Sequence, residues 1–169
     1  MDVDEAVDFV RSHARAVLVT RRRDGRPQTS PITVGVADDG VLVISSRETA
    51  MKVKNLERDP VGTLCVLSDG FFGPWVQVEG PVGIVRLPEA LDGLVDYYRR
   101  LSGEHPDWDD YRAAMERERR VLLRPAELVR ERGGGLRRGV HYGDHAGVRD
   151  PLDDVARVQR AGAAGADDR

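Results

Sequence analysis

The segment from Ile44 to Leu56 holds the residues whose types and spacing best fit a defined chemistry. It reads ISSRETAMKVKNL and contains Lys52 and Lys54, the only two lysines of the chain. A strand that ends in serines and leads into a helix brings hydroxyl and ammonium groups close to unpaired backbone N–H groups. Such an arrangement binds phosphate. The alternative is a solvated helix face, because helical positions two residues apart do not share a side.

A second segment places a large aromatic side chain beside polar ones on one strand face. Residues 73–80 read GPWVQVEG, and their alternation puts Trp75, Gln77 and Glu79 on one side and two valines on the other. An aromatic ring with polar neighbours suits a planar ligand or a subunit interface. The alternative is an ordinary strand with one solvent-facing side.

Other chemistries find little support in the chain. His141 and His145 are four residues apart, but Gly143 and Gly147 disfavour the helix that would make them paired metal ligands, so no metal site is predicted. No glycine-rich dinucleotide motif follows a strand, and no P-loop is present. No nucleophile–base constellation stands out, so no catalytic residue is named. Cys65 lies in an apolar run and is predicted to be a core thiol.

The elements that must position these residues are short strands joined by tight turns. Sequences DG and DDG mark two turns, and the three strands around them predict an antiparallel meander. Pro31 lies inside the second strand, which predicts an edge, a bulge or a ligand beside it. Thr49 can cap a helix that runs to about Arg58, and Pro88 can open another. The predicted strands span 16–20, 29–36, 41–45, 61–67, 75–87 and 121–123, and a last helix spans about 108–117.

This pattern predicts a mainly β fold, a closed barrel with helical decoration, because the strands do not alternate regularly with helices. Of the 169 residues, 1–132 are predicted to form the barrel domain and 133–169 a glycine-rich tail, either flexible or an arm that packs on a partner. The net charge of −3 argues against nucleic acid as the main partner. No apolar stretch approaches the ~20 residues of a membrane span, and the acidic N-terminus lacks signal-peptide features, so a cytoplasmic protein is expected.

Taken together, the segments resemble the F420-dependent branch of the pyridoxamine 5'-phosphate oxidase-like proteins, the split β-barrel flavin and deazaflavin oxidoreductases. The resemblance covers about residues 5–128, and the order and spacing of its segments are more specific than any one of them. One stretch, from Tyr97 to Met115, is similar to a helical insert of an actinobacterial subgroup. The other matching segments are DGRPQ with the following Ser30-Pro31, SSR followed by KVKNL and RDP, and GPWVQVEG.

The resemblance implies a homodimer with an FMN-binding-like split barrel and a cofactor cleft at the subunit interface. It further implies hydride transfer from reduced F420 to an electron-poor small-molecule acceptor, chemistry that the cofactor itself carries. The implied cofactor-binding residues fall into four groups: Ser30, Pro31 and Ile32 along the ring; Ser45, Ser46 and Arg47 at the ribityl and phosphate region; Lys52, Lys54 and Asn55 at the phosphate; and Trp75 and Gln77 from the neighbouring subunit.

Three alternatives remain open, of which the last is a dimeric barrel of this fold whose site has decayed. The first is an oxidase or reductase of the same fold that uses FMN. Met51 stands where FMN-dependent relatives often carry a further basic residue, which favours F420. The second is a non-catalytic protein that carries F420, flavin or a tetrapyrrole. The segment after Gly133 departs from the usual family ending, and the substrate is not determined by the sequence.

Overall fold

Short strands separated by tight turns form one curled antiparallel sheet in this computed structural model of the protein. The structure describes residues 3–70, 72–125 and 140–143. Among these residues the helices are α1 (Val3–Ser12), α2 (Met51–Arg58), α3 (Leu91–Ser102) and α4 (Trp108–Arg117). The strands are β1 (Arg15–Arg21), β2 (Pro27–Thr33), β3 (Gly35–Val36), β4 (Leu42–Arg47), β5 (Val61–Leu67), β6 (Trp75–Val85), β7 (Arg120–Pro125) and β8 (Val140–Gly143).

The sheet closes on itself through one bend in the chain. Its strand order is β2-β1-β5-β6-β7-β4-β3, with β8 beside β6. The two end strands, β2 and β3, follow each other in sequence and are separated only by Val34. The two ends of the sheet therefore meet at this residue, and the sheet curls into a barrel that is open between β2 and β4. The predicted mainly β barrel with helical decoration is confirmed.

The barrel interior is an apolar core that alternate strand residues supply. Helices α1 and α2 pack their apolar faces onto it, so the inner side of the sheet is buried except along β2, whose inward residues are half-buried. Burial of each such side chain favours folding by about 1.5–3 kcal/mol. The largest fully buried side chains of this core are Val10, Leu18, Val34, Leu42, Ile44, Val53, Leu56, Leu64, Val66, Val76 and Leu123.

The outer face of the sheet is covered over only part of its width. Helices α3 and α4 pack on β4 and β7 through a second apolar cluster, which includes Val43, Leu94 and Leu122. Apart from Val85 at the end of β6, neither apolar cluster includes the outward residues of β5 and β6. Trp75 and Gln77, for example, remain only half-buried on that face.

Three local predictions differ from the structure. The first three strands do not form a simple meander, because β2 pairs with β1 whereas β4 pairs with the two-residue β3. Thr49 does not cap α2, whose N-cap is Ala50 and which has no side-chain cap. Pro88 lies in the turn before α3 rather than in its first turn, since the helix begins at Leu91.

Most of the predicted tail, 133–139 and 144–169, lies outside the described residues. So do the side chains of the two histidines considered as metal ligands. Residues 140–143 form β8, which pairs antiparallel with β6 so that Val140 faces Val78 and Gly143 faces Trp75. None of the helices in the described ranges is long and apolar enough to cross a membrane.

Candidate functional site

The opening between β2 and β4 is the feature that brings the predicted site residues together. We call the space between Thr29–Thr33 and Ser45–Arg47 the split. Continuing the β3–β4 register, in which Gly35 faces Val43, by two residues on each strand would set Thr33 opposite Ser45. No ladder forms there, so the two strands diverge beyond this point.

The backbone of β2 presents free groups to the split. Thr33 faces Arg15 of β1, yet the ladder bond beside this pair runs from the Val34 N–H to the Ala14 carbonyl, at 2.8 Å. Thr33 therefore directs its own N–H and carbonyl away from β1, and so do the residues two and four positions earlier. Pro31 occupies one of these positions, where the missing N–H costs β1 no hydrogen bond. The predicted edge at Pro31 is confirmed.

The β4 side of the split has the matching orientation. Arg47 faces Arg120 of β7, and the neighbouring bond runs from the Glu48 N–H to the Arg119 carbonyl at 2.9 Å. Arg47 and Ser45 thus point their backbone N–H groups away from β7, towards the split. Because Pro31 has no N–H to offer, the strands could not form a full ladder here even if they approached.

Side chains of the predicted residues divide between the two faces of the sheet. Ser30 and Ile32 turn inward, and Ile32 packs on the core. Ser46 also points inward and is only 3% exposed. Pro31 is exposed on the outer face, where Arg47 is exposed as well. The outer face is therefore the one that a ligand can reach directly, whereas the inward residues shape the strand that it would lie on.

A cluster of cations lies where β4 ends. Arg120 donates to Glu118 at 2.7 and 3.0 Å, and Arg47 donates to the same carboxylate at 3.3 Å. These bonds hold the pKa of Glu118 below its usual range. Partial burial, together with the Arg120 guanidinium, lowers the pKa of Lys52. Two arginines thus share the Glu118 carboxylate, and the partly buried Lys52 is repelled by one of them. A bound anion would relieve that repulsion.

Lys54 lies elsewhere, in an open groove of about 970 Å³ between α2 and the β1–β2 turn. Arg22 and Arg23 also line it. Among the described residues these three cations form no ion pair. The two carboxylates of the groove pair with other arginines, Asp24 with Arg26 and Glu57 with Arg86. The two lysines, two positions apart on one helix, therefore serve different surfaces.

Asn55 lies at the floor of this groove with almost no exposed surface. It is 1% exposed, and its amide nitrogen donates to the Thr20 hydroxyl at 3.1 Å and to the side-chain Oε1 of Gln28 at 2.8 Å. Its oxygen accepts from Arg58 at 3.2 Å, and Arg58 also donates to the Arg21 carbonyl at 2.6 Å. Asn55 thus ties α2 to the β1–β2 hairpin with all its polar atoms in use.

Trp75 and Gln77 share the outer face with β2 but lie on a distant strand. Strands β1 and β5 separate β6 from β2, a span of about 14 Å at the usual spacing of ~4.8 Å per strand. Within one chain the structure therefore does not bring these residues to the split. Cys65 lies opposite Gln77 on β5, partly exposed instead of in the predicted core, and burial still raises the pKa of its thiol.

Three residues of the split were missed by the sequence analysis. Arg120 reaches the site because β7 pairs with β4, and Thr33 because its carbonyl faces the opening. Tyr97 of α3 donates from its hydroxyl to that carbonyl at 2.9 Å. No local pattern marks Arg120 and Tyr97, since both reach the split only through long-range packing, whereas Thr33 is the last residue of β2 itself.

Comparison with known proteins decides the family. A family model described as pyridoxamine 5'-phosphate oxidase matches residues 3–132. The chain belongs to the pyridoxamine 5'-phosphate oxidase family. The match spans every described element except β8, including both sides of the split. The broader resemblance inferred from the sequence is thereby confirmed.

Solved structures show the same split-barrel fold. A conserved hypothetical protein, Rv2991 from Mycobacterium tuberculosis, is 26% identical, with 89% of this chain and 90% of that chain covered and a TM-score of 0.65. An F420 reductase is 22% identical over 71% of this chain and 92% of its own, with a TM-score of 0.54. A pyridoxamine 5'-phosphate oxidase-related, FMN-binding protein from Nostoc punctiforme is 16% identical over 75% and 78%, with a TM-score of 0.53.

Proposed function

We propose that this protein is an oxidoreductase that binds F420 and uses its reduced form for hydride transfer to an electron-poor small molecule. The observation that carries the proposal is the split itself. Its walls offer backbone groups that no strand uses, and it ends at the Lys52 and Arg120 cations. A flat ring with a phosphate-bearing side chain matches that combination of a slot and a cationic end.

The donor set suits a phosphate at Lys52. Lys52 is partly buried beside Arg120, which disfavours its charged form. A phosphate dianion bound there would stabilise the charged form. Lys54 lies in the groove on the other side of α2, so we propose that it contributes less than Lys52 to binding this phosphate. Asn55 supports this helix from below through its bonds to Thr20 and Gln28.

The ring would lie along Ser30, Pro31 and Ile32, with Ser45, Ser46 and Arg47 beside the ribityl and phosphate portion. When bound, the reduced deazaflavin supplies the hydride from its C5 position. The residues of this chain bind and orient the ring, and they exclude water from one of its faces. No catalytic acid or base is proposed.

F420 is proposed over FMN because of one position in α2. Met51, directly before Lys52, is 54% exposed, lines the groove beside Lys54 and brings no charge to the first turn of α2. The solved structures of this fold include both an F420 reductase and an FMN-binding protein, so FMN is the alternative cofactor.

A homodimer completes the proposed site. The outer face of β5 and β6 carries partly exposed apolar and aromatic side chains, including Val61 at 40% exposure, that no described helix covers. A second copy that docks on this face would bring Trp75 and Gln77 of the partner subunit towards the split. A monomer in solution, measured by light scattering, would contradict this arrangement.

Titration of the purified full-length protein with F420 and with FMN, followed by cofactor fluorescence, tests the proposal. Lys52→Met is expected to weaken binding roughly 10- to 100-fold, the effect of losing one charge-assisted hydrogen bond. Lys54→Met is the matched control and is expected to change the affinity by less than about threefold.

Each outcome of the titration has one meaning. A loss of affinity in Lys54→Met but not in Lys52→Met would move the phosphate to the groove. Binding of FMN alone would replace F420 by the alternative cofactor. Binding of neither would refute the cofactor proposal. Tight binding without hydride transfer to any electron-poor acceptor would indicate a carrier.

A further inference from the structure

Tyr97 occupies the place where the β3–β4 ladder would continue. Its hydroxyl donates to the Thr33 carbonyl at 2.9 Å, and the neighbouring Ser45 backbone N–H acts to lower the pKa of the same hydroxyl. Extension of the ladder by one pair would join Ser45 directly to Thr33. The tyrosine oxygen thus stands between a donor and an acceptor that would otherwise bond to each other.

The surroundings of Tyr97 fit this bridging position. Its ring lies against Gly35 of β3, where an added Cβ would stand 3.4 Å from the ring Cδ2 atom. A neutral phenol can donate one hydrogen bond and accept another at the same time. Burial raises the pKa of Tyr97, so the hydroxyl keeps the proton it donates throughout the neutral range.

We propose that Tyr97 is a positioning residue that sets the width of the split at its closed end and thereby the fit of a flat ring. The tyrosine oxygen between them holds Ser45 and Thr33 further apart than the ~2.9 Å of a direct N–H···O bond. They also keep the next backbone groups, the Pro31 carbonyl and the Arg47 N–H, separated and available. The identity of the ring rests on the proposed function, whereas the bridge itself does not.

The test compares Tyr97→Phe with Tyr98→Phe in the full-length protein. Tyr98 is the next residue of α3, and its hydroxyl forms no hydrogen bond among the described residues, so it is a matched control. Two pairs of probes separate ring from phosphate: FMN with riboflavin, and F420 with the phosphate-free deazaflavin. Tyr97→Phe is expected to weaken both members of a pair about tenfold. Lys52→Met is expected to weaken only the member that carries phosphate.

A ligand-free measurement accompanies the titration. Amide hydrogen exchange at Ser45, followed by NMR, is expected to become at least about tenfold faster in Tyr97→Phe and to stay unchanged in Tyr98→Phe. Amides in the centre of β5 and β6 are expected to exchange as before. If the wild-type protein binds no ring at all, the proposed function fails, and the exchange at Ser45 still decides the bridge.

Two results would overturn the inference. Unchanged exchange at Ser45 in Tyr97→Phe would show that the hydroxyl does not hold the strands. Weaker binding of the phosphate-bearing probes alone would show that Tyr97 acts at the cationic end and not on the ring.

Discussion

Removal of the Asn55 side chain tests whether this residue is structural or a direct ligand of the cofactor. The amide is almost fully buried and joins α2 to the β1–β2 hairpin through Thr20, Gln28 and Arg58. In Asn55→Ala those partners lose their bonds, but the outer surface of the groove keeps its charges. We therefore expect a large loss of stability and a small change in ligand affinity.

The magnitude follows from the three hydrogen bonds. Each contributes about 1 kcal/mol net, and the Thr20 hydroxyl, only 2% exposed, would be left without its partner. Gln28 and Arg58 are nearer the surface and can bind water instead. The expected loss is about 3 kcal/mol in the free energy of unfolding. For a chain of this length that lowers the midpoint temperature by about 6–12 °C.

Urea unfolding followed by circular dichroism measures the effect, with Thr20→Val and the double variant to complete a cycle. Thr20→Val alone should cost about 1 kcal/mol, and the coupling between the two sites should be of similar size. A loss below about 1 kcal/mol in Asn55→Ala, or additive effects in the cycle, would refute the structural role. A drop in cofactor affinity of more than about tenfold in the folded variant would restore Asn55 as a direct ligand.

Three further predictions concern single positions. Burial and Arg120 lower the pKa of Lys52, so affinity for a phosphate-bearing cofactor should fall at a lower pH than it would with an exposed lysine. Binding titrations between about pH 7 and about pH 10 measure this, and Lys52→Arg should keep its affinity over that range. Identical pH profiles for the wild-type protein and Lys52→Arg would contradict the prediction. Burial raises the pKa of Cys65, so its reaction with a disulfide reagent at about pH 8 should be slower than after unfolding in urea and should accelerate above that pH; equal rates would be inconsistent with the fold. Leu123→Ala, at a fully buried position of β7, should cost about 2–5 kcal/mol in urea unfolding, and a cost below about 1 kcal/mol would argue against the β4–β7–β6 core.

Local sequence signals were sufficient where an element forms from its own residues. The helix predicted from about 108 to 117 begins and ends there, because Asp107 caps it by accepting from the N–H groups of Asp109 and Asp110 at 3.0 Å. The strand predicted at 61–67 has the same bounds in the structure, since its alternation matches its buried face. Pro31 marked an open edge for the simple reason that it has no N–H.

The sequence also contained the candidate site in outline, as two strands and one helix. Ser45 and Arg47 lie along the split with Pro31 across it, and Lys52 follows on α2, one short turn after β4. These residues are close in space because short turns connect their elements. Their grouping therefore needed no knowledge of the distant half of the chain.

Tertiary structure decided the rest. Lys52 and Lys54, neighbours in the sequence, serve opposite sides of α2, because successive helical residues are rotated by about 100°. Arg120 reaches Lys52 only through the pairing of β7 with β4, and Tyr97 reaches the split only because α3 packs across that pair. Contacts between residues so far apart along the chain depend on strand order and register. These are set by burial of the whole sheet and leave no local pattern in the sequence.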